Sequence, residues 1–298
     1  MTENTEPAQR RPDQPGTRAR LDGILKSVLD FWVVRRVMAV MDSANAAGGP
    51  LLAAALAFST MFAILPGLLL LSGVLGWVVD DPVVRAQLLA RLVAYVPPLA
   101  DAMADSLEGV VRTRGALSIV GLVGLLWGAS NFYAALDEVM RRLFPGGGIR
   151  GFIERRVRGV IAVTILVVLV AGTVALGGLW SVLTSLVGPE LAGVVRVAAP
   201  LILLAVMVLV VLLVYLFVPT APPTMSAALP PAIVAGVGIG LLTSLFSFLA
   251  PALIGGLSGF GILAAVFGAF VWLNFCFQIL LYGAAWARYR RDRQRLSG

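Results

Sequence analysis

In 298 residues the sequence has no histidine, one cysteine at position 276 and one lysine at position 26. Without histidine it lacks the commonest metal ligand and the side chain best suited to general-base work near neutral pH. Zinc hydrolase sites of the His-x-His kind are thereby excluded. A single cysteine rules out an intrachain disulfide. Charge is scarce too: 13% of residues are charged and 59% hydrophobic, against about 25% charged and 45–50% apolar in a soluble domain.

What the chain does have is a series of uncharged runs of bilayer length. Six are expected to be membrane spans, at about 50–77, 115–138, 159–187, 197–218, 230–254 and 261–287. The fold class is all-α, a polytopic bundle of transmembrane helices within a membrane domain over 21–290. Residues 1–20 are polar and proline-bearing and read as a disordered tail. They hold no apolar core for a signal peptide. Residues 291–298 form a short basic tail.

Two further helices lie outside the spans. Residues 21–47 place Leu25, Leu29, Trp32, Arg36 and Val40 at helical spacing, which predicts a helix lying along the inner membrane surface, with a solvated helix as the alternative. In 78–114 an apolar stripe of Leu99, Met103, Leu107 and Val110 opposes Asp101, Asp105, Glu108 and Arg112. With Pro97-Pro98 as a break, this segment reads as an external amphipathic helical hairpin, either a lid or an interfacial cap.

Basic residues set the orientation. Of 23 Lys and Arg, seven precede the first span, six lie in 139–158 and five in the C-terminal tail, while 188–196 carries only Arg196. Both termini are therefore expected to be cytoplasmic. The four arginines of the 78–114 segment run against this pattern, offset by five acids. Charges that flank apolar runs in this way suit a membrane, not a nucleic acid.

Few residues within the spans are polar, and each has two readings. In AAALAFSTMFAILPGLLLLSG the proline at 66 removes a backbone donor and crowds the carbonyl of Phe62. Ser59, Thr60 and Pro66 either form only a bent helix, the hydroxyls bonding their own backbone, or open a cavity as in the broken helices of transporters. Asn131 in the second span and Asn274 and Gln278 in the last, with Tyr282 on the same ladder, are either helix glue or the polar lining of a substrate path. Such a lining would be neutral.

Near the inner end of the second span stand Asp137, Glu138, Arg141 and Arg142, where i,i+4 pairs from Asp137 to Arg141 and Glu138 to Arg142 would stabilise a helix end. The next loop, FPGGGIRGFIERRVRG, has neither the lysine nor the Ser/Thr of a phosphate-binding loop. Its Arg150, Arg155, Arg156 and Arg158 suit anionic lipid headgroups. Membrane lipids are the expected partners, and nothing in the sequence names an oligomeric state or calls for a cofactor or metal. No catalytic residue is singled out. A ribonuclease would need clustered acids, for which Asp137 and Glu138 are the only inner-face candidates, so the chain is not expected to be an enzyme.

The order of ALAFSTMFAILP in the first span, WGASNFYAALDEVMRRLF closing the second, the arginine-rich loop and GILAAVFGAFVWLNF near the end resembles the YihY/BrkB family of bacterial inner-membrane proteins. The likeness covers roughly residues 30–290. It implies a six-span inner-membrane protein, often described as transporter-like. Members once carried a ribonuclease BN label regarded as a misassignment, and an association with serum resistance gave the virulence-factor name. The family's Asn-Arg after the second span is Arg141-Arg142 here. Its charged positions after the fourth span and late in the sixth are Leu216 and Ala285, so no mechanism through those charges carries over. The alternative to a transporter is a membrane scaffold or lipid-interacting protein.

Overall fold

A computed structural model describes residues 32–78, 116–148, 151, 153–154, 157–158, 161, 189–256 and 262–297. The expected tail, the hairpin beyond residue 78 and nearly all of the third expected span lie outside the described residues. The described chain is all helical: α1 (Trp32–Ala46), α2 (Gly49–Val78), α3 (Ala116–Leu143), α4 (Pro189–Phe217), α5 (Met225–Gly256) and α6 (Ile262–Ser297). Among the described residues three stretches are long and apolar enough to cross a membrane, Pro200–Phe217, Met225–Leu249 and Leu263–Leu296. The α1–α2 pair, bent by 65° between Ala46 and Gly49, adds a fourth when taken as one span.

Gly48 makes that bend. Its φ of 80° is a left-handed value that glycine adopts without strain, and its N–H closes α1 by donating to Asn45 O at 2.8 Å. Gly146, with φ 104°, plays the same part in the turn after α3.

Two glycine pairs set how closely the helices approach. Gly124 and Gly128 form a GxxxG face on α3 that receives α2 around Pro66. A Cβ at Gly124 would stand 2.9 Å from Pro66 Cβ, and one at Gly128 would stand 2.9 Å from Ala63 Cα and 3.1 Å from Phe62 O. Gly236 and Gly240 repeat the device on α5, where a Cβ at Gly236 would come within 2.9 Å of Val208 Cα on α4. Lipid chains are as apolar as leucine, so helix association in a bilayer rests on such close packing, not on hydrophobic exclusion.

The last helix, α6, touches each of the other five described helices. Ala265, Ala269, Ala284, Ala285 and Ala287 are all buried along it, which lets neighbours approach its backbone. It runs 36 residues, about 54 Å at helical rise, against a hydrocarbon core of roughly 30 Å. The sequence predicts a span ending near 287, yet the helix continues to Ser297. ARYRRDRQRLS contains no glycine or proline to stop it, and Arg288 pairs with Asp292 at 3.5 Å one turn on. The helix likewise begins earlier than expected at α5, five residues before Pro230-Pro231.

Replacing Gly128 with valine should overpack the α2–α3 seam and cost about 1–3 kcal/mol, read as a lower Tm of the purified protein in detergent. Gly148→Ala, where nothing lies within 4 Å of the added Cβ, should leave the Tm unchanged.

Candidate functional site

The hydroxyls of the first span are committed to their own helix. Ser59 donates to Ala55 O at 2.9 Å and Thr60 to Leu56 O at 2.8 Å. Ser130, Thr243, Ser244 and Ser247 do the same in the other helices. The Phe62 carbonyl, which has no donor four residues on because residue 66 is proline, faces Gly128 across the seam. This is the close backbone approach that a Cα–H···O contact accompanies. Asn131 is exposed on α3. By helical register it sits opposite Ala129, Tyr133, Leu136 and Met140, which are buried.

The amides of the last span behave differently. Gln278 Nε2 donates to Asn274 Oδ1 at 2.7 Å, and both side chains are half-buried. One turn further, Tyr282 OH donates to Asn45 Oδ1 of α1 at 3.3 Å. On α6 the two amides thus pair with each other, while Tyr282 on the same face turns to α1. Its neighbour Phe277 meets Phe132 of α3 with ring centroids 5.9 Å apart. The structure brings Asn274, Gln278 and Tyr282 together; Asn131 does not join them.

At the end of the bundle where α3 and α4 finish and α5 starts, here termed the charged end, Glu138 accepts from both Arg141 and Arg142, the latter at 3.0 Å. Arg141 turns to Glu138 at i,i+3, while Asp137 is only 3% exposed and faces the interior. Of the loop arginines, Arg158 pairs with Glu154 at 3.1 Å; Arg150, Arg155 and Arg156 lie outside the described residues. No group of three or more Asp, Glu or Cys able to hold a metal occurs among the described residues.

Sequence reasoning assigned Arg290 and Arg291 only to span flanks and tail, yet they organise this end. Arg291 is 4% exposed. Its Nη1 donates to Ala221 O at 2.7 Å, its Nε to Asp292 Oδ1 at 2.9 Å, and its guanidinium lies 5.4 Å from the Phe144 ring centroid. One side chain on α6 therefore joins the turn after α3 to the turn after α4. Arg290 Nη2 donates to Ser226 O at 3.2 Å. That carbonyl would ordinarily accept from the N–H of residue 230, which is a proline and has none. Gln294 completes the collar, accepting from Thr224 Oγ1 at 2.7 Å and donating to Ser226 Oγ at 3.2 Å. The signal available in the sequence was Pro230 itself, four residues after a carbonyl that then needs an outside donor.

Deeper in the bundle Tyr215 OH donates to Leu280 O at 2.7 Å. Its ring passes so close over Gly283 that any Cβ there would overlap the hydroxyl. Leu216 and Ala285, the positions that carry charge in the resembled family, both pack in this core.

Arg291→Met keeps the apolar bulk but loses charge-assisted bonds worth about 1.5–3 kcal/mol, and should lower the Tm accordingly. Arg295→Gln, on an exposed stretch of the same helix, should stay within about 0.5 kcal/mol.

No curated protein and no solved structure matches the chain. A family described as Virulence factor BrkB matches over residues 40–297, from within α1 to the end of α6. With that match covering most of the sequence and membrane-length helices underneath it, the chain belongs to the BrkB virulence-factor family.

Proposed function

We propose that this protein is a transporter-like component of the bacterial inner membrane, with its charged end and both termini in the cytoplasm, acting on an uncharged, zwitterionic or lipid-like molecule. The carrying observation is the amide pair on α6. Gln278 and Asn274 spend one donor and one acceptor on each other. Gln278 Oε1 and the Asn274 amino group make no further hydrogen bond among the described residues, although each amide has four sites to fill. Unused amide capacity half-buried in a membrane helix is costly. A partner offering both a donor and an acceptor without net charge would relieve that cost.

The surroundings support a neutral substrate. Charge is confined to the helix ends, and carrying a charged residue at a span centre costs about 2.5–3.5 kcal/mol on insertion scales. Glu138 is held between two guanidiniums, which leaves it poorly placed to ligate a metal and favours a non-enzymatic role. A second reading, a lipid-interacting scaffold, draws on Ser59, Thr60 and Ser130, whose hydroxyls serve their own helices.

Reconstitution into liposomes with a panel of neutral, zwitterionic and lipid-like solutes distinguishes the two. Asn274→Leu with Gln278→Leu should insert normally and abolish flux, while Asn131→Leu should leave it intact. Flux that survives the double substitution would remove the amide pair from the pathway. The absence of flux for every solute would favour the scaffold.

A further inference from the structure

The apolar arc of α1 is wider than the bundle covers. Helical register runs Val40 and Ala44, then Val37 and Met41, around about 100° of the helix, with Asn45, Met38 and Asp42 next beyond. Val40 and Ala44 are buried in the core, while Val37, Met38 and Met41 are 51%, 44% and 42% exposed. Asp42 is exposed as well. The helix therefore has a sector against the protein, Val40 and Ala44, an uncovered apolar one, Val37 and Met41, and a mixed one in which Met38 stands between Asn45 and Asp42.

Its setting shows what covers the middle sector. α1 meets α2 at 65°, so if α2 stands near the membrane normal, α1 lies within about 25° of the membrane plane. A 15-residue helix of about 22 Å then runs along the interface without crossing it. It leads through Gly48 directly into Leu51, Phe58 and Phe62, the exposed apolar face of α2. Beside Met41, at the edge of the uncovered sector, Asn45 accepts from Tyr282 OH of α6 at 3.3 Å.

We infer that α1 is a split-face helix: Val40 and Ala44 seat it on the bundle, and Val37 and Met41 insert into the acyl-headgroup boundary of the leaflet at the charged end. The occupant of the uncovered face is lipid, continuous with the lipid around α2. The Asn45–Tyr282 bond then links that leaflet to α6 one turn beyond the amide pair, so the depth of α1 and the position of the pair move together. This assignment does not depend on whether a solute is transported.

The test uses full-length protein in which Cys276, the only cysteine, is replaced by serine. Single cysteines at Val37, Met41 or Asp42 are labelled with bimane, and the protein is reconstituted into phosphatidylcholine–phosphatidylglycerol vesicles with plain or brominated acyl chains. Insertion predicts that brominated lipid lowers emission at least about twofold at positions 37 and 41 and leaves position 42 nearly unchanged. In parallel, a charged maleimide should react with a cysteine at Asp42 in intact unlabelled protein far faster than with one at Met41. Absence of quenching at 37 and 41 overturns the inference, whether water, a second copy or another segment of the chain covers the face. Equal quenching and equal maleimide reactivity at all positions overturn it as well, since α1 would then have no oriented face.

Discussion

A bilayer offers no water to a backbone carbonyl that has lost its helical partner. Several helical prolines in this chain create such carbonyls, and at two of them, Pro66 and Pro230, the packing shows a remedy. Pro66 frees Phe62 O inside α2, and the glycine pair of α3 brings its backbone against that spot, Gly128 at the carbonyl and Gly124 at the proline ring. Pro230 frees Ser226 O near the start of α5, and Arg290 reaches across from α6 to donate to it. The first remedy is close contact, available only to glycine in an apolar seam. The second is a guanidinium, available only where the helix end approaches water or headgroups. Depth in the membrane explains why the two differ.

The same logic makes the charged end a single assembly. Arg291 holds the Ala221 carbonyl of one turn and stacks near Phe144 of another. Gln294 and Thr224 fix the first residues of α5 beside it. These bonds all depend on α6 continuing as a helix beyond its apolar stretch. A tail that frayed at residue 287 would leave these connections without their partners on α6. Buried alanines along α6 then carry this fixed end into the middle of the bundle, where Tyr215 spans the gap to Leu280 over Gly283.

Much of this was legible in the residue pattern. Uncharged runs located five of the described helices, three of them to within about five residues at each end, while α4 begins eight residues before its run and α6 ends ten after, and the amide spacing of 274 and 278 gave the pair on α6. Proline at 66 marked where α3 packs against α2, and the order of segments gave the family. Other features escaped because they concern partners, not periods. Nothing in WGASNFYAALDE says that Asn131 faces away from the bundle while Asp137 faces in; that depends on which side of α3 meets α2. The glycines at 124 and 128 read as ordinary span residues until the proline they receive is seen opposite. The arginines of 288–295 look interchangeable in sequence, yet Arg291 is buried and Arg295 is exposed, since only one register of the extended helix meets the turns.

The account stands on orphaned carbonyls dictating their partners, and the pair Pro230 and Arg290 tests this most directly by a double-mutant cycle on Tm or chemical unfolding. Pro230→Ala restores an N–H that can satisfy Ser226 O within α5, so Arg290→Met should cost markedly less in that background than in the native chain. A coupling energy of about 1 kcal/mol or more between the two substitutions is predicted. Additivity within about 0.3–0.5 kcal/mol would show that Arg290 stabilises this end for reasons unrelated to the missing donor, contradicting the account.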